Sequence, residues 1–225
     1  MRPRPNLGDE VASILRDRIL SGVYRPGDKL PQDEIARDLG ISKLPVREAL
    51  IRLESEGVVT NPPRRGSFVA PIVPEDVIDA YAIYGLISGY AARRAADRIT
   101  DEDVERLEQS ADEMERTTDT ERQSSLNFEF HALVNHIGGS RRLRSTLRGV
   151  SRTLPTNFFG VRWHWSDHAH DDHRRIVQAL RSRDGQLAFD AMFEHLRRSG
   201  EHAVAMLEEA GFWSETPRDG VIAPS

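Results

Sequence analysis

Between Ile41 and Val59 the apolar positions fall at Val46, Ala49, Leu50 and Leu53, the i, i+3, i+4, i+7 spacing of a helix with one buried face. Ser42 stands where an N-cap belongs, its hydroxyl placed to accept a free first-turn backbone N–H. Pro45 falls early enough to be tolerated, and Gly57 marks the stop. Upstream, Val11, Ile14, Leu15 and Ile19 predict a helix ending near Ser21-Gly22, and Tyr24-Arg25-Pro26-Gly27-Asp28 predicts a type II turn. A shorter helix is expected over 32–39, with Ile35, Ala36 and Leu39 on one side and Gly40 closing it. Two helices separated by a few residues form a helix-turn-helix. After Gly57 the pattern shifts to short β-prone pieces, Val58-Val59-Thr60 and Ser67-Phe68-Val69-Ala70, which predict a hairpin wing around 61–66.

Beyond a linker at 71–74, bracketed by Pro71 and Pro74, helical spacing runs almost to the end of the chain. Six segments are expected, at 75–98, 101–118, 121–137, 141–161, 166–183 and 185–210. Their punctuation lies at Thr100-Asp101, Thr117 to Asp119, Gly138-Gly139-Ser140, around Trp163-His164-Trp165, and at Asp184-Gly185. Residues 211–225 read as a mobile tail in which Phe212 and Trp213 are placed to pack. The fold class is therefore mainly α. A winged helix-turn-helix at 1–70 is followed by an all-α antiparallel bundle at 75–210.

Charge sharpens this division. The whole chain of 225 residues carries a net charge of −5, which by itself argues against a nucleic-acid partner. Residues 1–70, however, hold 12 basic against 10 acidic residues, leaving 19 against 26 for the remainder. The basic charge is kept on the first part. Lys43 and Arg47, four apart, project together from the first turn of the second helix, where helix-turn-helix proteins meet base edges and phosphates. At the wing tip Arg64 and Arg65 supply charge beside Gly66, which allows the backbone close approach to a phosphate or the minor groove. The competing readings are a helical hairpin that packs on protein and a basic loop that is merely solvated. The absence of cysteine excludes disulfides and thiolate metal sites. With no apolar run long enough for a bilayer and no leader pattern at Met1-Arg2-Pro3, the expected location is the reducing cytoplasm, with no membrane partner.

The chemistry of the second part lies in its histidines. Asn127 and His131 are one helical turn apart, and an antiparallel bundle can bring His173 and His195, on the fifth and sixth segments, to the same interior point. Three imidazoles and an amide oxygen can hold a divalent metal, although any one helical histidine alone is more often a hydrogen-bonded residue without that role. A competing pattern is His168-Ala169-His170-Asp171-Asp172-His173, which resembles the metal signature of metallo-β-lactamase-fold hydrolases. That chemistry needs a loop after a β-strand, whereas the flanks of His168, His170 and His173 have helical spacing. No nucleophile elbow, phosphate-binding glycine loop or dinucleotide fingerprint appears.

Residues 7–70 resemble the winged helix of the GntR family of bacterial transcription regulators, through Gly27-Asp28-Lys29-Leu30, the run Glu34 to Val59, and Arg64-Arg65-Gly66-Ser67-Phe68-Val69-Ala70. The resemblance implies DNA contacts at Ser42, Lys43, Arg47 and Gly66, with Arg65 beside the glycine. The chain departs from the family at Ser42-Lys43-Leu44, where Ser-Arg-Thr is common, and at Asp33, where some members have arginine. Lysine lacks the fork that reads guanine, so Lys43 is expected to hold phosphate and Arg47 to read a base. Residues 75–207 are similar to the FCD ligand-sensing domain of the FadR-type branch. That similarity implies a metal, zinc or nickel, on Asn127, His131, His173 and His195.

Further departures are Asn127 for the usual Asp, Tyr84 for Arg, Ser88 for Glu, and Ser140 for a frequent Asn. With Asn127 no protein ligand brings negative charge, so an anionic effector, a small carboxylate, is expected to ligate the metal. Tyr84 and Ser88 are the expected effector contacts. Arg148 and Arg152 are the candidates to replace the absent arginine, although helical basic residues are more often surface charges. The resemblance also implies a homodimer on a pseudo-palindromic operator and repression released by ligand. The remaining alternative is a regulator whose bundle only dimerises.

Overall fold

The computed structural model describes residues 7–151, 154, 167–209 and 211–213. Its first part comprises α1 (Leu7–Leu20), β1 (Lys29–Leu30), α2 (Gln32–Asp38), α3 (Lys43–Ser55), β2 (Val59–Thr60) and β3 (Ser67–Val69). Val11, Leu15 and Ile19 of α1 are buried against Val46, Ala49, Leu50 and Leu53 of α3, and Ile14 is only half-buried. α1 and α3 are further tied by Arg16, whose Nε and Nη2 both donate to Glu56 Oε2, at 3.1 and 2.5 Å. Gly57, at φ +75°, ends α3 as expected: its N–H donates to Glu54 O, and the Val58 N–H donates to Leu53 O. Those two bonds make a Schellman motif.

One expectation for this part is corrected, and the expected hairpin wing, β2 with β3, gains a strand. Ser42 occupies the N-cap of α3 with extended backbone, but its hydroxyl makes no capping hydrogen bond. The wing belongs to a three-stranded antiparallel sheet of order β1-β3-β2, with Lys29 opposite Phe68, Leu30 opposite Ser67, and Val59 opposite Val69. The turn before β1 positions this extra strand. The Asp28 N–H donates to Arg25 O at 2.9 Å, with Gly27 at φ +88°, as a type II turn requires.

The second part comprises α4 (Pro74–Ala96), α5 (Asp101–Arg116), α6 (Thr120–Gly138), α7 (Arg141–Ser151), α8 (Asp167–Arg181) and α9 (Gly185–Glu209). Four of these helices start on capping chemistry at an expected boundary. Pro74 opens α4, with the Val73 N–H donating to Asp76 Oδ2. Thr100 and Asp103 form a capping box on α5, and Asp119 Oδ1 accepts the Glu121 and Arg122 N–H groups at the start of α6. Asp184 Oδ1 accepts the Leu187 N–H at the start of α9. The expected fourth segment, 141–161, does not run as one helix, because Leu154 lies in a bend. The proposed turn at Trp163-His164-Trp165 and residues 214–225 of the tail lie outside the described residues. Phe212 is buried in the bundle core, and Trp213 Nε1 donates to Ile72 O at 2.6 Å. Ile72 in turn packs against both apolar cores. Among the described residues no helix is long and apolar enough to cross a membrane.

α4 and α9 approach closely along small residues, Gly85, Gly89 and Gly200 facing Phe193, Phe189 and Tyr81. At the crossing of α4 and α6 the contact is backbone to backbone: a Cβ on Gly138 would lie 1.8 Å from Ala91 O. Gly138, expected only as punctuation, is therefore a packing residue. Replacing it with alanine forces the two helices apart and should cost about 2–3 kcal/mol of unfolding free energy. Urea denaturation of Gly138→Ala checks this, and a midpoint equal to that of the unsubstituted protein would contradict the close approach.

Candidate functional site

α3 presents its first turn outward. Ser42, Lys43, Leu44 and Arg47 are exposed, while Val46, Ala49 and Leu50 point into the core. The uncapped Ser42 hydroxyl is left for other partners. Lys43 Nζ lies 2.7 Å from Asp33 Oδ1 of α2, so its ammonium is already paired with a carboxylate. Leu44, 64% exposed, places an apolar surface between Lys43 and Arg47 of the kind that can meet a thymine methyl.

On the wing, Arg64 adopts φ +63° and the Arg65 N–H donates to Pro62 O at 3.1 Å. The Arg65 guanidinium stands 5.8 Å from the Phe68 ring centroid, and Gly66 has φ +93°. A Cβ on Gly66 would lie 3.6 Å from Lys29 Cε, so exposed Lys29 joins this basic edge from β1. Lys29 was missed as a site residue because a two-residue strand leaves no alternation to read.

In the bundle, α6, α8 and α9 bring His131, His173 and His195 together, all buried, with donor atoms within 4.8 Å of one another. His131 and His195 stack at 5.1 Å between centroids with their Nε2 atoms 3.2 Å apart. His173 Nε2 lies 3.0 Å from Asn127 Oδ1, so the amide faces the same centre. Phe130 sets ring edges against His131 and His173 and helps to close the centre. The donor set fits a metal. Two nitrogens bound at 2.0–2.1 Å in a tetrahedron stand about 3.3 Å apart, and imidazole suits zinc, nickel, copper or iron. Asn135, one turn beyond His131, donates from Nδ2 to Tyr84 OH at 3.4 Å, and burial pushes the Tyr84 phenol above its ordinary range. Asn135 Oδ1 and His131 Nδ1 are buried and have no hydrogen-bond partner among the described residues, while the buried Ser88 hydroxyl interacts with the Tyr84 phenol.

Other expected contacts fall elsewhere. Arg148 is exposed on α7, and Arg152 lies outside the described residues. The backbone of 168–173 is helical within α8, so the run containing His168, His170 and His173 lacks the strand-to-loop setting of a hydrolase. The residue overlooked in the sequence is Asp172. It is buried between His195 Nδ1, 3.8 Å from its Oδ2, and Arg198 Nη1, 3.1 Å from its Oδ1. Burial alone would raise this carboxyl, but His195, Arg198 and Arg175 together hold it below the usual carboxylate range. No local pattern marks it, since His195 and Arg198 come from the next helix.

Burial, and then the neighbouring His195, push the His131 imidazole well below its ordinary value of 6.5. In the unfolded chain the same residue takes up a proton near pH 6.5. Protonation thus favours the unfolded state, and metal-free protein should lose stability as pH falls below that value, by up to about 1.4 kcal/mol per pH unit for this residue. Denaturant midpoints from pH 7.5 to 5.5 in a chelator, for the parent and His131→Gln, measure this. Identical pH slopes for the two proteins would refute it.

Comparison with known proteins gives two family matches. Residues 7–69 match the model described as bacterial regulatory proteins, gntR family, and residues 79–198 match the FCD domain. The HTH-type transcriptional repressor RspR of Escherichia coli K12 is 28% identical over 95% of this chain and 96% of its own. YdhC of Bacillus subtilis, an uncharacterized HTH-type transcriptional regulator, is 27% identical over 87% of this chain and 90% of its own. Among solved structures, that of E. coli McbR/YncC superposes with a TM-score of 0.65 at 20% identity, covering 92% of this chain and 99% of that one. A GntR family regulator from Pseudomonas syringae superposes at 0.56 with 25% identity, covering 91% and 88%.

Proposed function

We propose, since the chain belongs to the GntR family of bacterial regulatory proteins and carries an FCD domain, that it is a repressor whose hold on operator DNA is set by a small carboxylate bound at a metal centre in the bundle. That it is a DNA-binding transcription regulator and not an enzyme follows from the family and from its relatives. The observation that carries the ligand-sensing part is the convergence of His131, His173 and His195 with Asn127. Repression is supported by RspR, a repressor by name.

In this reading Ser42, Lys43 and Arg47 meet the major groove, Lys43 on phosphate and Arg47 on a base edge, while Arg64, Arg65 and Gly66 of the wing, with Lys29, lie along the backbone. His131, His173, His195 and Asn127 hold zinc or nickel, which when bound supplies a positive charge for an anion. All four protein donors are neutral, so that charge of about +2 is left for the effector's carboxylate. Tyr84, Ser88 and Asn135 offer the effector uncharged hydrogen-bonding groups, and the buried unpartnered Asn135 Oδ1 supports a polar guest.

The protein acts as a homodimer on two half-sites. A stripe of Ile83, Leu86 and Tyr90 on α4, each about half exposed at helical spacing, supports a partner helix face. Control follows by linkage: the effector must bind the DNA-competent and DNA-incompetent arrangements differently.

Gel shifts on the promoter beside the protein's own gene test the DNA half. Arg47→Ala should cost about 1–3 kcal/mol and relax preference at one base pair, and Lys43→Ala should weaken all sequences alike and lower the salt slope by about one. Two variants that fold and bind like the parent would end the reading. Metal analysis tests the other half. The purified chain should carry about one divalent ion that His131→Ala lacks, and candidate acids should raise the melting temperature of the metal-loaded protein. Full metal content in His131→Ala would discard the ligand set, and no response to any acid would leave the bundle as a dimerisation module.

A further inference from the structure

Asp172 directly precedes His173 on α8, and a helix turns about 100° per residue, so the two side chains leave in different directions. His173 faces Asn127, whereas Asp172 reaches toward α9. Only 5% of Asp172 is exposed, so its charge must be accounted for by neighbours. Oδ1 is occupied by Arg198 Nη1 at 3.1 Å and Arg175 Nη1 at 3.5 Å. Arg198 is itself steadied by Glu194, whose Oε1 accepts from Nε at 3.0 Å. The other oxygen, Oδ2, lies 3.8 Å from His195 Nδ1, the ring nitrogen opposite the one that faces His131.

A neutral imidazole carries one proton, and which nitrogen holds it decides which nitrogen can donate a lone pair. We infer that Asp172 is a positioning residue of the centre: its carboxylate holds His195 as the Nδ1–H tautomer, so that Nε2 presents its lone pair to the point shared with His131, His173 and Asn127. Arg198 and Arg175 hold that carboxylate in place from the outer side of the bundle. This rests on the reading of the histidines as metal ligands, and it assigns to Asp172 a task that an ion pair between helices would not perform. Outer partners of this kind are worth about 10–100-fold in metal affinity.

The test uses the full chain stripped of metal, as the parent, Asp172→Asn and Asp172→Ala. Zinc affinity is measured by competition with a chromophoric chelator, and the His195 tautomer by side-chain nitrogen NMR of the metal-free proteins. The parent should show Nδ1 protonated. Asp172→Ala should bind zinc about 10–100-fold more weakly and lose the single tautomer. Asp172→Asn, which keeps the shape and so the packing, should lose at least about fivefold. Zinc binding by Asp172→Asn within twofold of the parent would overturn the inference, as would a weakened variant in which His195 keeps its tautomer. A parent that takes up no zinc would instead sink the metal reading, and the tautomer measurement would still decide whether Asp172 orients His195.

Discussion

Two buried imidazole nitrogens 3.2 Å apart set the terms for the bundle. Both rings are buried, and burial with the neighbouring His195 holds His131 in its neutral form, the form of imidazole that binds a metal. Around the pair, His173 and Asn127 add donors, Phe130 closes the side, and Asp172 stands behind His195. A cluster of this kind has little value as packing, because apolar residues would fill the same volume without unpartnered polar atoms. Its presence on three separate helices is the reason to read the bundle as a sensing domain.

Rigid framing makes such a cluster possible. The glycines on α4 and α9 let two long helices approach side chain to backbone, and Gly138 brings α6 onto α4. α6 supplies Asn127 and His131, and α9 supplies His195, so these same approaches set the distances between these side chains. The head follows another logic. There the core is apolar and ordinary, and the functional groups stand on its outer rim, where Lys43 already has Asp33 as an electrostatic partner. That pair is exposed and contributes little stability, but it lowers the positive field that DNA would meet.

Much of this was legible in the sequence. The stripe Val46, Ala49, Leu50 and Leu53 located α3, and Gly57 ended it, because helix periodicity and a left-handed terminus are local properties. The three histidines were legible as residues, and the resemblance supplied the grouping. What escaped depends on partners distant along the chain. The strand β1 exists only because β3 pairs with it, Asp172 matters only because α9 brings His195 and Arg198 to it, and the Ser42 hydroxyl turned out not to cap. Gly138 was read as a breaker because its spatial neighbour, the carbonyl of Ala91, cannot be seen from its own surroundings in the chain.

The indole of Trp213 bonds to the carbonyl of Ile72, a residue that touches both apolar cores. Protein domains emerging from a ribosome fold in order, the N-terminal one first. The head can thus complete its own core early in synthesis, yet the carbonyl just beyond it waits some 140 residues for its donor. This clasp between the two parts closes only once both have been synthesised, so a newborn chain has a finished head before its second part is fastened to it.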